Sequence, residues 1–464
     1  MKIKRRRFER GIDLYQTGDT IVAISTAPGA GAIGIVRLSG PEAFDYSSLI
    51  FKTKKQIEKK RQMLHGIFVE PLTQEPIDEG LLLWMTGPKS ATGEDTAECQ
   101  VHGSPAVLSR LVEILVSLGA RPAERGEFTY RAFLNGRLDL TQAEAVQALV
   151  ASRGEQERKQ ALRQLTGGLS AFLEPIEEKL KNLYLQIEAR LEFPEDGIPD
   201  LSKDIFNNTV QNCGKALHQL LDSYARGLVL KDGLTVAMVG APNVGKSSLL
   251  NALLGTPRAI VTHLPGTTRD VIEGEIQLSG LKVRLFDTAG IRETTEQVEV
   301  EGVRRTRQTM EEADLVLWIM DASRPEEGLP EAIQKKSADN VWWIFNKSDL
   351  ASEPAKNPFP VERTLTLSCL TRNGIDGLIQ KLGQWALRPE WETGVVLLQE
   401  RHQREIRTAV DALARLENLI QKNESMEIWA EETKEALLAV GRVRGKNLGK
   451  EAFEDIFSRF CIGK

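Results

Sequence analysis

One string constrains the fold of this chain more than any other. Gly240-Ala-Pro-Asn-Val-Gly-Lys-Ser247 follows the apolar run Leu234-Thr-Val-Ala-Met-Val239 and precedes Ser248-Leu-Leu-Asn-Ala-Leu-Leu254. It is a G-x-x-x-x-G-K-S loop between a buried-type strand and a helix, the setting in which this string binds phosphate. The glycines let the backbone pass close to phosphate oxygens, with N–H groups turned inward. Lys246 supplies charge for the β and γ phosphates, and the Ser247 hydroxyl is a ligand for Mg²⁺. Strand and helix patterns alternate around it from about 229 to 388, so this stretch reads as an α/β domain.

Three further strings occur in the order a GTPase requires. Gly266-Thr-Thr-Arg-Asp270 lies in a loop, where Thr268 is the residue to reach Mg²⁺ and sense the γ-phosphate. Val283-Arg-Leu-Phe-Asp-Thr-Ala-Gly290 is a strand ending in Asp-x-x-Gly. Asp287 there can hold Mg²⁺ through water, and the Gly290 N–H can touch the γ-phosphate, with Thr288 and Ala289 between them. Trp342-Trp-Ile-Phe-Asn-Lys-Ser-Asp349 is a strand ending in Asn-Lys-x-Asp. The Asp349 carboxylate can accept hydrogen bonds from guanine N1–H and N2–H₂; adenine lacks both donors there and would leave the carboxylate unpaired. Ser368-Cys-Leu370 ends the last strand run and is the weaker, fifth loop facing guanine. Together these strings predict a Ras-like P-loop GTPase domain. Its nucleotide contacts are Asn243, Val244, Gly245, Lys246, Ser247, Ser248, the loop from Thr262 through His263, Leu264, Pro265, Gly266 and Thr267 to Thr268, then Asp287 to Gly290, Asn346, Lys347, Asp349, Ser368, Cys369 and Leu370.

The glutamine that commonly orients water is missing, because Ile291 follows Gly290. Another group must position the nucleophile, and another positive charge must stabilise the transition state. Asn243 and the Thr262–Thr268 loop can hold a monovalent cation there, mainly through carbonyl oxygens. Glu299, in Val298-Glu-Val300, is a candidate to orient the water; on spacing alone, a solvated helix charge is its plainer reading.

The chain has 464 residues, which suggests about three domains. Its flanks differ in texture. Residues 19 to about 135 read as mixed α/β. Thr20–Ile24 and Ile33–Leu38 form strand, turn, strand, Leu81–Met85 is another apolar run, and Pro105–Leu118 has a helical period ended by Gly119. Ile176, Leu180, Leu183, Ile187 and Leu191 then mark a long amphipathic helix, and Ile406, Val410, Leu413, Leu416 and Ile420 mark another. One helical domain interrupted by an inserted α/β domain accounts for both. With 60 Lys and Arg against 65 Asp and Glu, the net charge of −5 excludes a globally basic nucleic-acid coat but leaves a local patch open. No apolar run of about 18 residues predicts a membrane span. The four cysteines, Cys99, Cys213, Cys369 and Cys461, show no C-x-x-C spacing, which fits a reducing, cytoplasmic setting. The basic run Met1–Arg10 is followed by no apolar core of secretory type and reads as an extension over 1–18.

Several strings now carry a resemblance. The chain resembles the tRNA-modification GTPase family MnmE (also called TrmE) over about residues 19 to 464. The marks are Gly34-Ile-Val-Arg-Leu-Ser-Gly40, Thr92-Gly-Glu-Asp-Thr-Ala-Glu98, Arg125-Gly-Glu-Phe-Thr-Tyr-Arg-Ala-Phe-Leu-Asn-Gly-Arg-Leu-Asp-Leu140, the phosphate loop, Gly266–Asp270 and the terminal Phe460-Cys-Ile-Gly-Lys464. The resemblance implies a multidomain α/β plus all-α protein. An N-terminal α+β folate-binding and dimerisation domain (19–138) precedes a helical domain (139–228 and 389–464) with the G domain (229–388) inserted in it. It implies a homodimeric, potassium-activated GTPase that works with an FAD-containing MnmG partner, in a heterotetramer, on the wobble uridine C5 of certain tRNAs. A (carboxymethyl)aminomethyl group is added there, with a tetrahydrofolate derivative supplying one carbon. Carried over by residue, K⁺ falls on Asn243, Thr262, Leu264 and Thr267, and Mg²⁺ on Ser247 and Thr268. Glu299 takes the water-orienting role beside Lys246, Thr268 and Asp287, and folate falls on Arg37, Glu98, Arg137 and Lys464. Cations suit the folate glutamate tail, and a carboxylate suits the pterin edge.

The departures are few. His263 and Pro265 stand where the family often has an acidic residue and alanine, and Cys369 replaces a common alanine. Cys461 is a thiol candidate, with a packed terminal cysteine as the plainer reading. A rival reading is a ribosome-assembly GTPase switch; such proteins often carry a KH-type domain or tandem G domains, and this sequence has one phosphate loop and no Gly-x-x-Gly KH loop in a suitable context.

Overall fold

The computed structural model describes residues 14–56, 58–193, 202–255, 274–278, 280–287, 313–324, 340–351, 359–386 and 394–463. They form two compact units. One takes the chain to Val150, then Leu162–Leu217 and the part from Arg404 on; the other takes Ala151–Ala161 and His218–Gln403.

The first unit opens on a seven-stranded sheet built from β1 (Ile21–Ile24), β2 (Gly31–Ser39), β3 (Phe51–Lys52), β4 (Gln62–Val69), β5 (Pro76–Met85), β6 (Thr96–Gly103) and β7 (Arg121–Pro122). Their order is β3-β4-β5-β6-β2-β1-β7. Helices α1 (Ala43–Leu49) and α2 (Pro105–Ser117) cover it. The 3.6-residue period of α2 turns Leu108, Leu111, Ile114 and Leu115 into the core with Val36, Leu38, Phe68 and Trp84. Pro105 opens the helix, where its missing N–H costs nothing, and Gly119 with φ +115° follows its end.

The helices that follow are α3 (Glu127–Leu134), α4 (Leu140–Ala151), α5 (Glu155–Leu165), α6 (Gly168–Glu192) and α7 (Lys203–Asp232), the last two separated by residues outside the described set. After α8 (Lys246–Leu254) and α9 (Ile375–Ala386) of the second unit, the chain adds α10 (Glu400–Gln421), α11 (Met426–Val443) and α12 (Lys450–Ser458). The stripe expected on α6 is buried at Ile176, Leu180, Leu183 and Ile187, with Leu191 half-buried at its end. On α10 the buried stripe is Ile406, Ala409, Leu413, Leu416 and Ile420; Val410 lies beside it, half-buried. The small alanine, rather than the valine, takes the inward place at that turn.

Arg131 on α3 is the charged centre of this unit. Its side chain is 1% exposed and donates to the Asp19 carbonyl (2.7 Å) and carboxylate (2.5 Å), to Glu94 (3.1 Å) and to Glu127 (3.0 Å). Arg121 adds a second guanidinium on Asp19 and Glu127. Burial alone would raise the Asp19 carboxyl, but the hydrogen bonds from Arg121 and Arg131 outweigh it and hold it below the usual carboxylate range. A depressed carboxyl contributes stability above its unfolded pKa, and that contribution is lost as pH falls through the folded value. Arg131→Ala leaves the fully buried Glu127 carboxylate short of a partner, so a loss of about 3–5 kcal/mol is expected in urea unfolding followed by tryptophan fluorescence. A loss below about 1 kcal/mol would show that Arg121 and water replace it.

The second unit holds a six-stranded sheet of β8 (Leu234–Gly240), β9 (Gly274–Leu278), β10 (Leu281–Asp287), β11 (Leu315–Asp321), β12 (Val341–Asn346) and β13 (Thr364–Thr366), in the order β13-β12-β11-β8-β10-β9. All its pairings are parallel except β9 with β10. Its helices include α8 (Lys246–Leu254) and α9 (Ile375–Ala386). Successive residues of β8 serve opposite faces: Val236 and Met238 enter one core with Leu249 and Leu378, while Ala237 and Val239 enter the other with Trp318 and Trp343. A strand buried on both sides reads as a continuous apolar run, as Leu234–Val239 does. The mixed α/β and helical fold class is as expected. Residues 151–161, grouped with the helices on sequence grounds, pack in the second unit.

Candidate functional site

In the second unit β8 lies between β10 and β11, so the chain winds outward from β8 in both directions. A crevice opens beyond the carboxyl ends of parallel strands at such a switch point, and ligands bind there. The nucleotide strings among the described residues begin at these ends. The phosphate loop leaves β8, Asp287 is the last residue of β10, Asn346 ends β12, and Ser368 follows β13 by two residues.

The loop 241–245 is short because two residues take left-handed backbone, Asn243 (φ +64°) and Gly245 (φ +99°). Gly245 caps α8 at the mouth of the crevice, and a helix start is a setting that suits phosphate. A Cβ at Gly245 would stand 2.2 Å from Asn346 Nδ2, so glycine is required both by φ and by space. Lys246, 7% exposed, folds back so that Nζ donates to the carbonyls of Gly240 (2.8 Å) and Ala241 (2.9 Å). Its charge therefore stands over the loop that would receive phosphate. Ser247 and Ser248 are exposed on the first turn of α8.

Asn346 joins the loops. It is 2% exposed; Nδ2 donates to the Val244 carbonyl (2.9 Å), and Oδ1 accepts the Cys369 N–H (3.1 Å). One side chain thus fixes the phosphate loop and the Ser368–Leu370 loop against each other. Ser368 is fully buried and its Oγ accepts the Thr371 N–H (3.2 Å). Asp349 is exposed, as a group meant for a ligand must be. Burial pushes the Cys369 thiol up to about 11, with Asn346 acting against the shift and the Asp349 charge adding to it, so this thiol stays protonated at neutral pH.

Asp321, at the end of β11, belongs to none of the strings that mark the nucleotide site in the sequence. It sits in register with Asn346, and Oδ2 accepts the Lys347 ammonium at 2.7 Å. Burial alone would raise its carboxyl, but Lys347 and the Ser323 hydroxyl and N–H outweigh that and hold it low. A strand run ending in Asp-Ala-Ser, with the serine two residues on, is the signal that could have found it.

In the first unit, Arg37 on β2 and Glu98 on β6 are cross-strand partners, joined through Nε (2.9 Å) and Nη2 (2.8 Å), with the guanidinium 5.8 Å from the Phe128 ring centre. Glu98 Oε2 faces the Gln100 amide at 3.4 Å. Arg137 donates to the Ser90 carbonyl (3.1 Å) rather than joining that pair. The C-terminal segment returns to this sheet: Gly463 O accepts the Ser25 hydroxyl (3.1 Å), and Ile462 bridges Arg125. A Cβ at Gly463 would stand 2.2 Å from the Ile24 carbonyl, and φ there is +87°. Ala23, next to Ile24, is the register partner of Arg37.

Thr262, His263, Leu264, Pro265, Gly266, Thr267, Thr268, Thr288, Ala289, Gly290, Glu299 and Lys464 lie outside the described residues, as does the side chain of Asp287. The donor chemistry described at the nucleotide crevice, an exposed serine hydroxyl on the first turn of α8, suits a hard cation such as Mg²⁺. Among the described residues, no cluster of His, Cys, Asp and Glu forms a metal site of its own, and no helix is long and apolar enough to cross a membrane.

Comparison with known proteins adds the following. A family model described as the MnmE helical domain matches residues 140–461, and one described as the GTP-binding protein TrmE N-terminus matches residues 20–137. The chain is similar to the tRNA modification GTPase MnmE of Aquifex aeolicus, with 42% identity over 96% of this chain and 100% of that one. The similarity to the protein of the same description from Thermus thermophilus is 42%, over 96% and 99%. For that of Syntrophotalea carbinolica it is 40%, again over 96% and 99%.

Proposed function

The chain belongs to the MnmE (TrmE) family of tRNA-modification GTPases, and from that premise we propose what its GTP hydrolysis serves. With an FAD-containing MnmG partner, it drives addition of a (carboxymethyl)aminomethyl group to C5 of the wobble uridine of certain tRNAs. A tetrahydrofolate derivative supplies the one-carbon unit. The observation that carries the GTPase half is the meeting of the phosphate loop, Asn346 and the Ser368–Leu370 loop at one sheet edge, tied through the Asn346 amide.

In this reading Lys246 and the N–H groups of the phosphate loop hold the β and γ phosphates. Ser247 and Thr268 hold Mg²⁺, which supplies charge neutralisation on the phosphate oxygens. Asn243, with Thr262, Leu264 and Thr267, holds K⁺, and Glu299 orients the attacking water. Asp349 and Asn346 select guanine, with Lys347 beneath the base. The boundaries 19–138, 139–228, 229–388 and 389–464 are our assignment of the folate-binding, helical and G domains. The protein works as a cytoplasmic homodimer that assembles with its partner. Loss of the modified wobble uridine from tRNA of cells lacking this chain is the test; an unchanged nucleoside profile would overturn the reading.

Two further outcomes are expected. Hydrolysis should run much faster in K⁺ than in Na⁺, since the smaller ion fits a K⁺-sized ring of oxygens poorly, and Asn243→Ala should remove most of that difference. Equal steady-state rates in the two chlorides would remove potassium from the reading. The folate proposal is supported by Arg37 holding Glu98 in place, and by the docking of Gly463 near them. Deleting Cys461–Lys464 takes away one cation, worth about 1.5–3 kcal/mol per charged hydrogen bond. Calorimetric titration with a tetrahydrofolate derivative should then give an affinity lower by roughly ten- to a hundred-fold. Unchanged affinity would assign the terminal motif to chemistry or partner docking.

A further inference from the structure

Residues Ala151–Ala161 are a short stretch that leaves the first unit to pack in the second. What they grip there is the turn of the β9–β10 hairpin. The Gln156 N–H donates to the Gly280 carbonyl (3.1 Å), and the Gln277 amide donates to the Arg153 carbonyl. The Arg153 guanidinium lies 3.8 Å from Glu275. Gly154 approaches so closely that a Cβ would be 2.9 Å from the Gly280 carbonyl, while Gly280 itself has φ +82°. The contact is therefore shaped by two facing glycines, with hydrogen bonds on either side.

The grip is stiff because Glu157 caps it from within. Glu157 is the third residue of α5, and its carboxylate reaches back to the N–H groups of Arg153 (2.9 Å) and Gly154, the reverse half of a capping box. It is 8% exposed, and burial pushes its carboxyl up despite those two donors and the charge of Lys282. The turn 153–154 and the first turn of α5 thus move as one piece.

The hairpin leads along the chain toward the proposed nucleotide site. Among the described residues, β9 is an edge strand bonded only to β10. It begins at Gly274, four residues after the Gly266–Asp270 string, and β10 ends at Asp287. Both of its open ends run into the segments assigned above to the γ-phosphate, and its closed end is the gripped turn. Six residue steps of extended strand lead from Leu281 to Asp287, roughly 20 Å of stiff lever.

We propose that the Arg153–Glu157 turn is a relay for the nucleotide state: it senses that state through the β9–β10 hairpin and hands it, through the capped start of α5, to the chain that runs on into the first unit. Segments that touch the γ-phosphate are those that rearrange on hydrolysis in switch proteins, and a hydrogen-bonded hairpin carries such a shift to its far end. The inference rests on the GTPase reading of the crevice.

Hydrogen exchange on the full-length protein tests it, with no nucleotide, with GDP, and with GDP plus aluminium fluoride, all with Mg²⁺ and K⁺. Amides of 153–158 and 280–282 should change protection several-fold between GDP and the fluoride complex, together with those of 240–248. Gly154→Val, and separately Gln277→Ala with Arg153→Ala, should abolish the response at 153–158 and keep it at 240–248. Should the wild-type phosphate loop respond while 153–158 does not, the device is overturned and the GTPase reading stands. Should neither respond, the nucleotide reading itself fails and takes the device with it. The wild-type comparison decides the matter even where a variant folds poorly.

Discussion

Asp349→Asn should turn this protein from a guanine into a xanthine nucleotide enzyme. In the proposed reading the carboxylate of Asp349 accepts from guanine N1–H and N2–H₂; asparagine puts an N–H₂ donor where one acceptor stood, and xanthine carries a carbonyl oxygen at the same place. A site built to pair a polar edge rejects the wrong partner by roughly 10⁴-fold, because buried groups are left without hydrogen bonds. The scaffold should survive, because the loop is held by Asn346, Lys347 and Ser348 rather than by Asp349: the Ser348 N–H donates to the Leu367 carbonyl (3.1 Å) and Lys347 is anchored on Asp321. Competition of GTP and xanthosine triphosphate against a fluorescent GDP analogue measures the exchange. Retained preference for GTP in the variant, or hydrolysis of ATP by the unmodified protein, would show that Asp349 does not read the base.

Gly245→Ala should all but remove nucleotide binding. Two penalties add. An alanine at φ +99° costs about 1–2 kcal/mol of backbone strain. Its methyl would stand 2.2 Å from Asn346 Nδ2, so that amide must leave Val244, giving up hydrogen bonds inside a buried site at about 1–3 kcal/mol. Around 3 kcal/mol in total is roughly a hundredfold in affinity or more. Direct titration with the same fluorescent nucleotide reads it, alongside a melting curve showing that the sheet survives. Binding within threefold of the parent would mean that the Asn346 amide has room to move, and that the tie between the two loops is dispensable.

Both expectations draw on strings plain in the sequence, and on one contact that is not. Gly240–Ser247, Asp287 and Asn346–Asp349 announce themselves because the strand, the turn and the helix start are written contiguously, so local geometry follows from local residue types. That Asn346 clasps Val244, 102 positions away, appears only once β12 and β8 share a sheet. Asp321 stays hidden for the same reason: its partner Lys347 follows the neighbouring strand, 26 residues on. The stripe on α10 is legible except at Val410, where Ala409 takes the buried place instead.

The first unit shows the limit more sharply. Arg37 and Glu98 read as unrelated charges until the resemblance names them, because nothing near either residue indicates the other. They meet because β2 and β6 pair in one register, which a single-residue slip would have turned to opposite faces. Arg131 looks like an ordinary helix arginine in the sequence and is 1% exposed in the fold, held by three carboxylates from two other segments and its own helix.

By itself, then, the order of residues determined the P-loop α/β domain, the loops that leave its strands and the amphipathic helices on either side, since each depends on periodicity and turn chemistry within a few residues. The tertiary structure alone decided which distant groups meet: Asn346 with the phosphate loop, Gly463 with β1, and Gly154 with Gly280. Such meetings are set by sheet register and by which buried polar group finds a partner. That is a property of the whole packed chain, because an unpaired group costs free energy only once water has been excluded from it.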